Sequence, residues 1–225
     1  MPTHWAYTEE LPRYPYSLEE ASAILDQEGW IDNDGDGIRE REGQPVQFTI
    51  LTIASEPILA EVVDEISRQY AELGIQATPQ LVSTVTELRN ILKTRDFDIF
   101  VLSTPSNGLP PDPDFYPLWH SSQIAETGQN YTSFNTPETD VLLLEARASM
   151  EQNERRALYV EFQQVLATEL PAFPLYYPIT NYVVSAQVKD VQVGPSVHPG
   201  DRFLSLPQWY IRERRELRDI NPAGG

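Results

Sequence analysis

Gln47-Phe48-Thr49-Ile50-Leu51-Thr52-Ile53 opens the stretch that decides the fold, and Phe97-Asp98-Ile99-Phe100-Val101-Leu102 closes it. Both runs are rich in β-branched and aromatic residues, which suit a pleated, packed surface. Between them, Leu59, Val62, Val63, Ile66, Tyr70 and Leu73 recur at helical spacing, and Gly74 stands where a left-handed residue ends a helix. Residues 75–82 read as a further strand and 85–93 as a short helix. Strand–helix–strand–helix–strand predicts right-handed crossovers and a largely parallel sheet. The 97–102 run is nearly all apolar, which predicts a strand buried on both faces. The expected class is therefore α/β, a mostly parallel open sheet flanked by helices.

In such sheets ligands sit beyond the carboxyl ends of the strands. The segment that leaves the 97–102 run is polar and stiffened by proline, and it reaches Asp112-Pro113-Asp114. It is the expected functional loop. Ser103, Thr104, Ser106 and Asn107 offer hydroxyls and an amide to a ligand; the alternative is that they only cap turns. Asp112 and Asp114 read as turn and helix caps. Trp119 and His120 follow on a short helix. Trp119 could stack on a ligand and His120 hydrogen-bond it, or Trp119 packs in the core and His120 sits at the surface.

Upstream, Ser17 and Glu20 have capping-box spacing before Leu18, Ala21, Ile24 and Leu25, and Gly29 ends that helix. Next comes Asp32-Asn33-Asp34-Gly35-Asp36-Gly37-Ile38-Arg39-Glu40-Arg41-Glu42. Counting Asp32 as the first position, Asp34, Asp36 and the Ile38 carbonyl fall where an EF-hand loop places ligands. The twelfth position is Gly43 rather than Glu, and Pro45 leads into a strand, so the loop is no EF-hand. Glu40 or Glu42 could still complete a calcium site, which would be structural. The alternative is a solvated Asp/Gly turn. Downstream, helices are expected near 137–150 and 153–169, strands at 173–177 and 182–185, and short β-like pieces after Gln187. The tail from Arg212 reads as frayed.

The formal charge is −18, and a surface this acidic disfavours nucleic acid and anionic lipid. With no cysteine, disulfides, thiolate zinc sites and cysteine nucleophiles are excluded. No apolar run is long enough to span a bilayer, and no signal peptide is visible. Three histidines stand without metal spacing, and no nucleophile elbow, phosphate loop or dinucleotide fingerprint occurs. Asn130-Tyr131-Thr132 matches a glycosylation sequon, a short and unspecific signal.

The order of landmarks then becomes informative. Pro2-Thr3-His4-Trp5-Ala6-Tyr7, Tyr14-Pro15-Tyr16, Gly29-Trp30 and the Asp34-Gly35-Asp36-Gly37-Ile38 run come first. Leu73-Gly74-Ile75, Phe97-Asp98, Asp112-Pro113-Asp114 and Trp119-His120-Ser121-Ser122 follow. Asn130-Tyr131, Asn135, Pro137, Asp140, Arg156, Leu158-Tyr159 and Pro171-Ala172-Phe173-Pro174-Leu175-Tyr176 complete the series. Over about residues 2–210 it resembles the C-terminal lobe of family 5 extracellular solute-binding proteins, the peptide-, dipeptide- and nickel-type binding components of ABC importers.

The resemblance implies a periplasmic-binding-protein-like lobe over 17–185, a crossover lead-in over 1–16, a β-rich return segment over 186–211 and a flexible tail over 212–225. It implies a second, N-terminal lobe outside this chain, with an oligopeptide or similar solute trapped between the two by hinge closure. It further implies an extracytoplasmic, monomeric protein that serves an ABC permease, with no required cofactor. Trp5 and Tyr7 would then be left exposed, forming an apolar patch. Peptide-binding members place an aspartate in the loop after the Phe-Asp strand, where it pairs with the peptide amine. The corresponding positions are Asn107 or Leu109, neither acidic, so that anchor is missing. Two other readings remain: a carboxylate-based hydrolase, and an interaction module that docks a partner through its exposed face.

Overall fold

The computed structural model describes residues 4–103, 114–177, 181–193 and 200–211. A parallel sheet in the order β4-β3-β5 forms its first layer, with β3 (Gln47–Ile53) between β4 (Gln76–Val82) and β5 (Ile99–Phe100). Helix α2 (Pro57–Glu72) joins β3 to β4, and α3 (Val85–Thr94) carries the chain back across β3 to β5. Right-handed crossovers in this order put the two helices on opposite faces. The packing agrees: Ile50, Leu51, Thr52 and Ile53 are consecutive and all buried, so both faces of β3 are covered. Leu59 and Val63 from α2, with Leu88 and Leu92 from α3, complete this core.

Local chemistry sets the element ends as the sequence predicts. Ser17 accepts the Glu20 N–H at the start of α1 (Leu18–Gln27), and Thr84 accepts the Glu87 N–H at the start of α3. Gly74 sits at φ +73, and the Gly74 and Ile75 N–H groups reach the Ala71 and Tyr70 carbonyls, a Schellman closure of α2. A Cβ there would lie 3.1 Å from the Arg39 side chain and 3.2 Å from the Gly37 carbonyl. Pro79 lies within β4, which an edge position allows because no ladder donor is needed on its free side.

Three expectations about strands are corrected. The 97–102 run is not a strand buried on both faces: β5 has two residues, Ile99 is exposed, and among the described residues β5 is paired on one side only. Asp98 explains the shortening, because its carboxylate accepts both the Thr49 N–H (2.8 Å) and Thr49 Oγ1–H (3.0 Å), replacing ladder bonds at that level. Residues 173–177 and 182–185 form no strand, and Phe173, Leu175, Tyr176 and Tyr177 are exposed. The return segment is less β-rich than expected. It holds a single two-residue antiparallel pair, β6 (Val188–Lys189) with β7 (Tyr210–Ile211), tied by Ser205 to Gln192 and Trp209.

Beside the sheet stands a helical hairpin, α5 (Pro137–Ala148) and α6 (Gln152–Glu169), packed through Leu142, Leu143 and Phe162. Arg95, at the end of α3, ties the segment that precedes this hairpin to the sheet layer, donating to Ser133 Oγ (2.7 Å) and to the Ile124 carbonyl. The lead-in is not left exposed. Ala6 is buried against Ala146 and Tyr159, Trp5 is half-buried edge-on to Tyr159, and Arg156 and Gln163 of α6 donate to the Trp5 and Ala6 carbonyls. The exposed aromatics of the first segment are Tyr14 and Tyr16. A β1 (Glu40–Arg41) and β2 (Gln44–Pro45) hairpin precedes the sheet. Among the described residues no helix is long and apolar enough to cross a membrane.

Candidate ligand crevice and acidic loop

The crevice follows from topology. The chain steps from β3 to β4 in one direction and from β4 to β5 in the other, so the connections part between β3 and β5 at their carboxyl ends. Ligands of open α/β sheets bind at such a switch point. Its described rim consists of residues 54–56 after β3 and Leu102–Ser103 after β5. Ser103 is exposed. Thr104, Ser106, Asn107, Leu109 and Asp112 lie outside the described residues. The rim after β3 is the part sequence reading missed. Ser55 and Glu56 are exposed, and Glu56 heads α2 without a side-chain cap bond. The strand order that brings them beside Ser103 depends on pairing partners, which local pattern does not encode.

Downstream, α4 (Tyr116–Trp119) is held by Asp114. The Asp114 carboxylate accepts Arg147 Nε–H (3.0 Å), Arg147 Nη2–H (2.6 Å) and the Tyr116 N–H (3.3 Å). That hydrogen bond raises the Arg147 pKa above its ordinary value. The Arg147 guanidinium lies 3.8 Å from the Tyr116 ring centroid, and the His120 ring is stacked at 4.1 Å. Two groups cannot occupy one face at those distances, so Tyr116 is sandwiched between them.

Trp119 is half-buried against the Leu142–Leu143–Phe162 cluster and edge-on to Phe134, 6.1 Å away. The alternative that puts His120 at the surface does not hold: the residue is 8% exposed. Its Nδ1 accepts the Ser122 N–H (3.0 Å) and meets Ser122 Oγ (2.9 Å), while Nε2 is buried without a hydrogen bond. Asp140 approaches the same Nδ1 at 3.9 Å. A serine-activating histidine uses one ring nitrogen for the hydroxyl and the other for the acid; here both neighbours face one nitrogen. Asn130 is fully buried and donates to the His120 and Phe134 carbonyls, so the sequon asparagine is a structural bracket.

The acidic loop lies at the opposite, amino edge of the sheet, against Gly74 and the end of α2. Asp32 Oδ1 accepts the Gly35 N–H (2.7 Å) and Oδ2 the Gly37 N–H (3.0 Å). Asp34, Asp36 and Glu40 accept the Asp36, Ile38 and Asn33 N–H groups in turn. Asp32, Asp34 and Glu40 bring carboxylate oxygens within 4.8 Å of one another; Asp36 and Glu42 are outside this cluster. An open groove of about 340 Å³ adjoins it, lined by Asp26, Asp32, Arg39 and Glu72 among others. The pin between the first helix and the sheet is Arg39, which sequence reading did not single out. It is 14% exposed and bonds Ser22 and Asp26 of α1, the Trp30 carbonyl and the Leu73 carbonyl after α2.

A parallel sheet that switches direction between β3 and β5 is an arrangement that places ligands beyond the carboxyl ends of its strands. The family model for bacterial extracellular solute-binding proteins, family 5 (middle region), matches residues 1–126, and the chain belongs to this family. It is 27% identical over 214 residues to the oligopeptide-binding protein AppA of Bacillus subtilis, covering 93% of this chain and 38% of AppA. It is 26% identical over 196 residues to heme-binding protein A of Haemophilus influenzae, covering 86% of this chain and 34% of that protein. The structure of B. subtilis AppA in complex with a nonapeptide matches with TM-score 0.72 and 25% identity, over 95% of this chain and 41% of that one. The Helicobacter pylori periplasmic binding protein DppA, solved with the peptide STSA, matches with TM-score 0.66 and 25% identity, over 95% and 38%. The chain thus spans well under half the length of these relatives.

Proposed function

We propose that this chain forms one lobe of a two-lobed extracytoplasmic binding protein that captures an oligopeptide or similar solute and delivers it to an ABC permease. The observation that carries the reading is the β4-β3-β5 strand order, with its switch point between β3 and β5, in a family 5 chain that spans 38% of an oligopeptide-binding relative. The second wall comes from the rest of the longer protein. The exposed run of Phe173, Leu175, Tyr176 and Tyr177 supports this, since an apolar surface of that kind suits a lobe junction. The protein binds without turnover, and the His120–Ser122 geometry supports that side of the reading.

The test is a thermal-shift screen of the longer gene product against peptides of two to about ten residues, heme and oligosaccharides, with products checked by mass spectrometry. A rise in Tm with intact peptide is expected. Cleaved peptide, or a response to no solute, would overturn the proposal.

The acidic loop has a fold role in this account, away from the crevice. Calcium bound structurally by Asp32, Asp34 and Glu40 is a second reading, favoured by their convergence within 4.8 Å. It predicts a higher Tm in millimolar calcium than in chelator; equal melting curves contradict it.

A further inference from the structure

His120 caps a turn with an atom that changes role when it gains a proton. The residues after it, Ser121–Ile124, form a 3-10 turn whose Ser122 N–H is accepted by His120 Nδ1. Accepting requires a free lone pair on Nδ1, so the neutral ring carries its hydrogen on Nε2. Tyr116 of α4 stacks on the ring and hydrogen-bonds Ser122 Oγ (3.0 Å) through its hydroxyl. Arg147 of α5 lies on the far face of Tyr116, neutralised by Asp114. Asp140 of α5 is 3.9 Å from Nδ1, with its oxygens already accepting the Ser121 N–H (2.8 Å) and Ser121 Oγ–H.

We propose that His120 is a proton-sensitive cap, which fixes the 120–124 turn and the α4 stack when neutral and releases them when protonated. A proton from solvent bonds to the Nδ1 lone pair, and the Ser122 N–H loses its acceptor. The new Nδ1–H turns to Asp140, the nearest carboxylate, and competes there with Ser121. The turn opens, Tyr116 loses its stacked partner, and the change reaches Asp114 through Arg147.

The test uses the 225-residue chain in NMR titrations from pH 8 to pH 5. At pH 8 the His120 ring should carry hydrogen on Nε2. On acidification the Ser121, Ser122, Tyr116 and Arg147 signals should move with one midpoint shared by the ring, and Ser122 amide exchange, corrected for pH, should accelerate. His120→Asn places an unionisable acceptor near the Nδ1 position and should abolish the shared transition, separating it from His4 and His198. A ring with hydrogen on Nδ1 at pH 8, a ring that does not titrate, a Ser122 amide that stays still, or an unchanged transition in H120N would each overturn the proposal. The wild-type titration decides alone if H120N fails to fold.

Discussion

Arg39 spends one guanidinium on Ser22, Asp26, Trp30 and Leu73, and so joins the first helix, the loop before the acidic run and the end of α2. Its removal would strand two backbone carbonyls in a part-buried site. Arg39→Ala is expected to cost about 3 kcal/mol in urea unfolding, and Arg39→Lys less, since an ammonium keeps the charge without the fork geometry. Asn130→Ala should cost about 2 kcal/mol, because the His120 and Phe134 carbonyls lose their donor. Neither role was legible in the sequence. The Asp-Gly run drew the eye to carboxylates, but Arg39 does the joining, and Asn130 looked like a modification signal. A side chain that works through contacts 34 residues away leaves no local pattern.

Elements whose ends are set locally were legible: the Ser17 cap, the Gly74 closure and the apolar stripe of α2 all stand where spacing placed them. Elements whose fate depends on a neighbour were not. An apolar run became the two-residue strand β5, and 173–177 formed no strand, because apolar composition does not say whether a neighbouring strand is present. On the outer face of α2, Arg68 hydrogen-bonds Glu65 and Glu72. The Arg68 bond, with help from Gln69, holds the Glu65 pKa well below its ordinary 4.5, at about 2. A carboxylate depressed in the fold stabilises it fully above the unfolded value and loses that contribution as pH falls through the folded one. The Tm advantage of wild type over Glu65→Gln should therefore be present at neutral pH and fade between about 4.5 and 2. It should be small, because both groups are exposed. In the hairpin, Phe162 is 1% exposed between α5 and α6. Phe162→Ala should lower unfolding free energy by about 3–5 kcal/mol, read by urea denaturation.

At the scale of the whole molecule, the ordered landmarks already pointed to a solute-binding lobe, and family and fold agree. The crevice was only half legible: the loop after β5 stood out by composition, whereas the rim at 54–56 emerges from the β4-β3-β5 order. The acidic loop and the crevice occupy opposite edges of a sheet whose longer strands run seven residues, or about 20 Å, so changes at one should leave the other intact. The central claim is that this lobe closes with another around a ligand. Small-angle X-ray scattering of the longer gene product, with and without an oligopeptide identified by the thermal screen, tests it most directly. A smaller radius of gyration in the bound state, with the peptide recovered intact, is the predicted result; an unchanged radius at saturating peptide would contradict the account.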